Sequence, residues 1–288
     1  MKNSIIGKWN QNKYTVLSKI GSGGVGTIYK VCDEDDNIFA LKISDNMYSI
    51  SREYEVMNSL KNLDFIPTIY DMDDIYINQK AHFFLVMDYI DGISLREYAT
   101  MNNNITEKNI ISIWLVLIKY LKQMFTKKYM YYDIKPDNIL IDKKNNKIMI
   151  IDFGSVVSLD RSATEFTPAY NMSSWCSNSK VSKEQILIFN TTMLIIHLFI
   201  DKELNPLKFD FNDLIIIVKE LKINKIVKDF IIESLKCRYK NIKIFEKELK
   251  IVYNSVINNK YLYYRIIDIL FTTSLSIFLF FLLYCMLK

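Results

Sequence analysis

The sequence has few of the residues that build zinc sites and disulfide frameworks. Its 288 residues include four cysteines and two histidines, and no two cysteines form a CxxC pair. These residues are Cys32, Cys176, Cys237, Cys285, His82 and His197. Because both kinds of site need such residues at close spacing, the sequence argues against a structural zinc site and a disulfide scaffold. We therefore expect a reducing compartment, the cytosol.

The sequence also lacks features that would place it in several other classes. Its first ten residues, MKNSIIGKWN, have no apolar core of the kind found in secretory signal peptides. No internal repeat and no low-complexity tract is evident. Because 50% of the residues are hydrophobic and 24% are charged, the chain is not a disordered protein. Its length suffices for one large domain or two lobes with their own cores.

The net charge of +5 is unevenly distributed along the chain. Residues 219–265 hold 12 Lys or Arg against 5 Asp or Glu. One interpretation is a set of solvated helix faces, and the other is attraction to an anionic membrane surface. No nucleic-acid-binding signature accompanies the charge, so we do not expect a nucleic-acid partner.

One long hydrophobic run stands near the end of the sequence. Ile269–Leu287 comprises 19 uncharged residues, which as a helix at ~1.5 Å per residue would extend ~29 Å, about the thickness of a bilayer core. The preceding KYLYYR (260–265) supplies tyrosines and cations suited to a membrane interface. The alternative is a buried C-terminal helix. We predict a transmembrane helix at 267–287, a juxtamembrane linker at 253–266, and, from the positive flank, a cytosolic domain held by a C-terminal anchor.

The hydrophobic pattern divides the rest of the chain into a β-rich part and an α-rich part. Residues 14–43 predict three strands separated by turns, 51–61 a short helix, and 81–90 another strand. From about residue 94 the pattern becomes mostly helical, with core helices expected at 111–125 and 184–200. This order indicates a small β-rich lobe followed by a larger α-rich lobe.

The glycine-rich turn GSGGVG (21–26) and the lysine that follows it suggest a phosphate site. Glycine lets backbone N–H groups approach phosphates closely, and here a strand rather than a helix follows, which argues against a dinucleotide-binding fold. Lys42 lies among apolar strand residues, so its ammonium group needs a partner. Glu53 on the next predicted helix is the expected partner, with Glu55 as the rival.

The stretch YYDIKPDNILIDKKNNKIMIIDFG (131–154) places polar groups between apolar runs. Asp133, Lys135 and Asn138 stand in a first loop, and Asp152 follows a predicted hairpin. Such a hairpin would bring Asp152 back beside Asn138. Carboxylates, an amide and a lysine are the groups that phosphate and Mg²⁺ chemistry uses.

These motifs occur in one order along the chain: GSGGVG, FALK, SREYEVM, LVMDYIDGISLREY, YYDIKPDNIL, IIDFG, TPAY and CRYKN. The chain thereby resembles the eukaryotic-like Ser/Thr protein kinases, most of all those of low-GC Gram-positive bacteria, over residues 14–252. The resemblance implies a bilobal α+β fold with an N-lobe at 14–88 and a C-lobe at 89–252. It also implies ATP with Mg²⁺ or Mn²⁺ as cofactors, and a protein substrate.

The resemblance assigns a role to each site residue. The nucleotide would contact the glycine-rich turn, two apolar walls and a hinge, formed by Gly21, Ser22, Gly23, Gly24, Gly26, Ile28, Ala40, Met87, Asp88, Ile90 and Leu140. Lys42, held by Glu53, would contact the α- and β-phosphates, while Asn138 and Asp152 would hold metal ions. Asp133 would accept the proton of the substrate hydroxyl. Lys135 would neutralise charge on the transferred phosphoryl group, and it is typical of Ser/Thr kinases.

The sequence departs from the family pattern on the side where a protein substrate would dock. Tyr132 replaces an arginine that normally binds a phosphorylated activation loop, so activation by loop phosphorylation is not expected. NMSSWCSNSK replaces an Ala-Pro-Glu triplet, which leaves Arg238 either exposed or paired with another acid such as Glu184. The aspartate that normally braces the catalytic loop is missing, with Leu187 near its place. The segment between Lys42 and Glu53 is also short.

Three functions remain open at this point. The first is a membrane-tethered Ser/Thr protein kinase, favoured because every group expected to contact ATP, metal or the transferred phosphate is present. The second is an ATP-binding pseudokinase or scaffold at the membrane, suggested by the departures. The third is a phosphotransferase acting on a small molecule or lipid, suggested by the altered docking segment.

Overall fold

The computed structural model describes residues 4–23, 26–101, 105–161, 166–176 and 180–258, together with Phe271 and Ser274. The predicted transmembrane helix therefore lies outside the described residues except for these last two positions. Gly24 and the second half of the predicted linker also lie outside them. The first half of that linker, 253–258, continues a helix that begins at residue 242.

The N-lobe is one antiparallel sheet with a helix packed against it. Its strands are β1 (Ser4–Ile6), β2 (Lys13–Gly23), β3 (Gly26–Cys32), β4 (Ile38–Ser44), β5 (Ile69–Ile77) and β6 (Lys80–Asp88), in the spatial order β1-β2-β3-β4-β6-β5. Helix α1 (Met47–Leu60) follows β4. The predicted strands within 14–43 are confirmed. The helix predicted at 51–61 begins four residues earlier because Asn46 caps it, accepting a hydrogen bond from Ser49 N at 3.1 Å.

The sheet alternates a buried face with a face open to solvent, as expected for a half-buried antiparallel sheet. Val31, Leu41, Phe84 and Val86 are fully buried and form the centre of its core. On the other side, α1 turns Ile50, Met57 and Leu60 inward at helical spacing. Glu53 lies on this same inward face, so the helix carries a carboxylate into the core between the lobes.

The C-lobe is a helical assembly around a buried central helix. Its helices are α2 (Leu95–Met101), α3 (Glu107–Thr126), α4 (Lys183–Ile200), α5 (Phe211–Glu220), α6 (Lys225–Leu235) and α7 (242–258). Both predicted core helices, 111–125 and 184–200, are confirmed. Trp114, Phe230 and Phe245 form an aromatic cluster that joins α3, α6 and α7, with ring centroids 5.0–5.4 Å apart.

One helix among the described residues, α4, is long and apolar enough to cross a membrane. However, 67% of that stretch is buried inside the protein. A capping box at Ser182 and Gln185 starts it. Its burial is that of a core helix, as the sequence predicted.

Short strands before α2 and between α3 and α4 flank the loops that hold Asp133 and Asp152. β9 (Ile139–Asp142) pairs with β10 (Lys147–Ile150) on one side and with β7 (Gly92–Ser94) on the other. β8 (Tyr129–Tyr131) pairs with β11 (Val156–Ser158). The predicted hairpin is therefore confirmed, and these strands lie between the two lobes.

Candidate active site

A chain of charges, buried at Lys42 and Glu53, joins the two lobes. The Nζ of Lys42 on β4 lies 2.7 Å from Glu53 Oε2 on α1 and 3.2 Å from Asp152 Oδ1. Glu53 also accepts a hydrogen bond from Phe153 N at 3.2 Å. Glu53 is fully buried, whereas Glu55, the rival partner, is exposed. The predicted pair is confirmed, and the short connection between Lys42 and Glu53 does not prevent it.

The charges of this chain stabilise one another. Burial alone would lower the pKa of Lys42, but Glu53 and Asp152 outweigh it, so the pKa is raised. Burial alone would raise the pKa of Asp152, yet the Lys42 ammonium group and the Gly154 N–H hold it below its usual value. Lys42 is therefore cationic and Asp152 anionic at neutral pH, as contact with phosphate and a cation requires.

The loop between β8 and β9 holds Asp133 by several contacts. Its carboxylate accepts a hydrogen bond from Thr167 N at 2.7 Å and lies 2.7 Å from Lys135 Nζ. Its backbone N–H donates to Ser155 Oγ at 3.0 Å, and its carbonyl accepts from Asn138 Nδ2 at 3.0 Å. With both ends of the residue fixed, the carboxylate has a defined position between the loop and the segment that carries Thr167.

The β9–β10 hairpin brings Asn138 and Asp152 to the same place, as predicted. Ile139 pairs with Ile150 across the hairpin, and Ile151 N donates to Asn138 O at 3.1 Å. Asn138 Nδ2 is used by Asp133, which leaves the amide oxygen as the atom able to bind a cation. No cluster of three or more His, Cys, Asp or Glu that could hold a metal occurs in the described part of the chain. One carboxylate and one amide fit Mg²⁺ that takes its other ligands from phosphates and water.

Two neighbouring cavities lie in the cleft between the lobes. The first, of about 350 Å³, has apolar walls that include Ile28, Ala40 and Leu140, and reaches the connecting segment Met87–Ile90. The second, of about 260 Å³, is lined by the charged groups Lys42, Asp133, Lys135 and Asp152 together with Gly23 and Gly26. Ile28 borders both. An apolar cavity beside a charged one suits a planar base with an attached polyphosphate.

The residues predicted to line the nucleotide site fall around these cavities, apart from Gly21 and Ser22, which belong to β2 nearby, and Gly24, which lies outside the described residues. The structure adds residues that the sequence analysis missed: Ile20, Pro67, Ile151, Ser155 and Thr167. Ile151 and Thr167 stand in the motifs IIDFG and TPAY, but for all five residues only the fold shows that they reach the cleft. The Asp88 side chain accepts hydrogen bonds from Thr68 N and the Tyr70 hydroxyl.

The glycine-rich turn contains one position that demands glycine. Gly26 has φ +150°, and a Cβ there would lie 2.4 Å from Ile43 O. Gly21 and Gly23 have room for a side chain. Their predicted role, to let the backbone approach the phosphates, stays a prediction; β2 and β3 pair up to Gly23 and Gly26, which line the charged cavity.

The substrate side of the cleft is held differently from what we expected. We placed Leu187 where a bracing aspartate should stand, but Asn190, one turn later on α4, braces this region. Its Oδ1 accepts from Met172 N at 3.0 Å and its Nδ2 donates to Tyr132 O at 3.5 Å. Leu187 is simply buried in the core. The brace is therefore present as an amide rather than a carboxylate.

Two further departures can be located. Tyr132 is buried in the core, where a tyrosine can be accommodated but an arginine without a partner cannot. Arg238 is exposed and lies 3.5 Å from Glu233, so the expectation that it is exposed is confirmed and Glu184 as its partner is wrong. Glu184 instead accepts a hydrogen bond from Ile242 N at 2.7 Å.

A β-rich lobe and a helical lobe that enclose an apolar cavity beside a Lys–Glu–Asp charge chain are the architecture of the kinase class of proteins. Comparison with known proteins agrees: residues 14–260 match the family described as the protein kinase domain. Because this match covers most of the chain, the protein belongs to that family.

Among its relatives are the serine/threonine-protein kinases YabT and PrkC of Bacillus subtilis. YabT is 29% identical over 206 residues, which are 69% of this chain and 60% of YabT. PrkC is 31% identical over 175 residues, which are 57% of this chain and 26% of PrkC. The chain thus covers less than two thirds of the length of either relative. The resemblance to kinases of low-GC Gram-positive bacteria is confirmed.

Proposed function

We propose that this protein is an ATP-dependent protein kinase that transfers the γ-phosphate to Ser or Thr hydroxyls. The observation that carries the proposal is the joint placement of Lys42, Glu53 and Asp152 with Asp133 and Lys135 around one charged cavity. Family membership and the names of the relatives support the same activity.

The proposed mechanism uses these groups for positioning and charge stabilisation. Lys42, fixed by Glu53, binds the phosphates. Asp152 and Asn138 would hold Mg²⁺, which would supply positive charge that offsets the phosphate charge. Asp133 orients the substrate hydroxyl and accepts its proton. Lys135, 2.7 Å from Asp133, stabilises negative charge on the transferred group. Thr167 N holds the Asp133 carboxylate in the orientation that this role needs.

The alternative of an ATP-binding pseudokinase is less well supported by the geometry. A protein that only binds nucleotide has no use for Asp133 and Lys135 held beside the phosphate cavity. The brace by Asn190 also keeps the altered substrate side attached to the catalytic loop. A phosphotransferase for small molecules has no specific observation in its favour.

The test is transfer of labelled γ-phosphate by the full chain to itself and to a generic basic protein, with Mg²⁺ or Mn²⁺. Asp152→Asn should lower the rate by roughly 100-fold or more, as expected when a group that stabilises transition-state charge is lost. Asp64→Asn is the matched control, since Asp64 pairs with Lys147 at the surface. A wild-type rate in Asp152→Asn would show that the assignment is wrong. Nucleotide binding without any transfer would instead favour the pseudokinase.

We further propose that 267–287 anchors the protein in a membrane, with the kinase domain in the cytosol. The support is the uncharged run Ile269–Leu287 and its basic, tyrosine-rich flank. Extraction of cell membranes at alkaline pH tests this. The full chain should stay in the membrane fraction, whereas Phe278→Lys with Leu282→Lys should release it, because charges at the centre of a bilayer are costly. Release of the unaltered chain would contradict the anchor.

A further inference from the structure

The outer face of helix α7 carries lysines and exposed isoleucines side by side. Ile244 and Ile251 are 42% and 50% exposed, and they lie seven residues apart, so they share one face of the helix. Lys243 and Lys247 are exposed next to them. Neither lysine forms an ion pair with another described residue. We call Lys243, Ile244, Lys247 and Ile251 the α7 outer face.

The opposite face of α7 already has its partners within the protein. Ile242, Phe245, Leu249 and Val252 are buried against the C-lobe core. Lys122 on α3 binds Glu246 at 2.7 Å, and Lys250 binds the other oxygen of the same carboxylate at 2.6 Å. The helix is therefore firmly docked, and the exposure of Ile244 and Ile251 is not a consequence of a loose end.

The position of α7 in the sequence indicates which kind of surface the α7 outer face can contact. Its last described residue, Asn258, stands 11 residues before Ile269, the start of the uncharged run. Fully extended, this connection reaches at most about 40 Å, and any regular structure in it would shorten that distance. If the run is anchored in a bilayer, the C-terminal end of α7 stays close to the headgroups.

We propose that the α7 outer face binds an anionic lipid surface, an inference that rests on the proposed membrane anchor. Lys243 and Lys247 would contact lipid phosphates, while Ile244 and Ile251 would enter the apolar edge of the headgroup region. Basic and apolar side chains on one helix face are the pattern of interfacial helices. A single-chain anchor leaves the orientation of the domain free, and this second contact fixes the α7 side of the C-lobe against the membrane.

A nucleic-acid backbone fits this face less well. Phosphates of a duplex would contact the lysines but leave the two isoleucines without apolar partners. Lipid provides both the phosphates and the apolar boundary, so it accounts for both kinds of exposed side chain.

The experiment uses the full chain with Phe278→Lys and Leu282→Lys, so that vesicle binding does not depend on an inserted anchor. Sedimentation with vesicles of phosphatidylcholine, with and without phosphatidylglycerol, measures partition. Lys243→Glu with Lys247→Glu should weaken binding to the anionic vesicles about 30-fold or more, at about 1 kcal/mol for each lysine removed. Lys13→Glu with Lys19→Glu, exposed on β2 of the other lobe, makes the same charge change and should have little effect.

Ile244→Ser with Ile251→Ser should weaken binding to both kinds of vesicle, because it removes apolar contact rather than charge. If this chain aggregates, a second readout comes from the chain with its anchor intact and the single change Ile251→Trp, placed in bilayer nanodiscs whose lipids are brominated near the headgroup. Quenching of that tryptophan is expected in the anionic nanodiscs.

The inference would be overturned if the α7 and β2 charge variants bound anionic vesicles equally well, or if the tryptophan were not quenched. It would also be overturned if duplex DNA displaced the protein from the vesicles by binding Lys243 and Lys247. Neither readout measures phosphate transfer, so this result is separate from that of the kinase assay. Membrane extraction of the unaltered chain tests the anchor independently.

Discussion

The nucleotide side and the substrate side of the cleft are held together by different interactions. On the nucleotide side, a chain of opposite charges runs through Lys42, Glu53 and Asp152. On the substrate side, hydrogen bonds between neutral groups do much of the holding: the Asn190 amide binds Met172 N and Tyr132 O, and Trp175 Nε1 donates to Ala169 O at 3.0 Å. Carboxylates take part only as acceptors, Asp133 from Thr167 N and Glu203 from the Tyr170 hydroxyl. Opposite charges therefore pair where the proposed nucleotide would bind, whereas the docking segment is held mainly by hydrogen bonds.

The substrate segment is held in place without the missing Ala-Pro-Glu triplet. The segment from Thr167 to Trp175 is fixed at one end by Asp133, in the middle by the turn around Pro168, and at the other end by Asn190. Arg238 is exposed, so its former partner leaves no buried charge behind. We expect the substrate segment to keep its place without the lost pair.

The largest effect should come from breaking the charge chain at Lys42. Lys42→Met removes the cation between two carboxylates and leaves Glu53 buried without its partner, which costs about 3–5 kcal/mol in other proteins. Phosphate transfer should be lost and the melting temperature should fall. Lys122→Met is the control, since it removes an ion pair of the same length, 2.7 Å, at the surface. Equal losses of stability in both variants would contradict the role of burial.

On the substrate side, Asn190→Leu should cost roughly 2–3 kcal/mol because Met172 N and Tyr132 O lose a buried partner. The effect on transfer to a protein substrate should exceed the effect on nucleotide binding, since the brace acts on the segment 167–175. Thr192→Val is the control on the same buried helix: Thr192 bonds only the carbonyl of Ile188. The comparison would fail if Asn190→Leu weakened nucleotide binding and transfer equally.

The N-lobe extends the comparison between the two sides of the cleft, because it also contains buried carboxylates that lie away from the nucleotide site. Asp73 on β5 is buried and accepts hydrogen bonds from Trp9 N and Asn10 N. Asp71 accepts from the Asn12 side chain and the Tyr14 hydroxyl. The family match begins at residue 14, yet residues 7–12 are needed to satisfy these two acids.

Asp73→Ala should therefore destabilise the protein by about 1–3 kcal/mol, the cost of leaving buried N–H groups without acceptors. Asp74→Ala, whose side chain bonds the exposed Trp9 indole, should cost less. Thermal unfolding distinguishes them. If Asp73→Ala unfolded at the wild-type temperature, residues 7–12 would not be an integral part of the lobe.

The smallest expected effect is on the way in which folding stability depends on pH below neutrality. His197 is buried on α4 next to the Tyr170 hydroxyl, 3.1 Å away, and burial, followed by the charge of Arg96, lowers its pKa. The unfolded chain therefore takes up a proton at a pH where the folded protein does not, so stability should fall as the pH drops through about 6.5. His197→Gln should flatten the dependence of the melting temperature on pH below about pH 6.5. An unchanged dependence would exclude His197 as its source.

The sequence predicted the nucleotide side far better than the substrate side. Lys42, Glu53 and Asp152 stand in motifs with fixed order, and the β9–β10 hairpin is short, so the spacing alone places Asn138 beside Asp152. Asn190 carries no such local signal. It meets Tyr132 across 58 residues, and Leu187 and Asn190 differ by one turn of a helix whose faces are both buried.

The N-terminal contacts could not be predicted for a similar reason. Asn10 and Asp73 are 63 residues apart, and neither belongs to a motif. An asparagine-rich N-terminus next to a strand with three aspartates gives no pattern that distinguishes buried from solvated carboxylates. Only the pairing of β1 with β2 and the position of β5 bring them together.

The most direct test of the central claim is phosphate transfer and nucleotide binding measured side by side for the full chain and Asp133→Asn. Asp133 lies beside the phosphate cavity but is proposed to act on the substrate hydroxyl. The account predicts that the wild-type chain labels protein on Ser or Thr, and that Asp133→Asn binds ATP with Mg²⁺ equally well but transfers no phosphate. Transfer by Asp133→Asn at the wild-type rate, or a wild-type chain that binds ATP and never transfers, would contradict it.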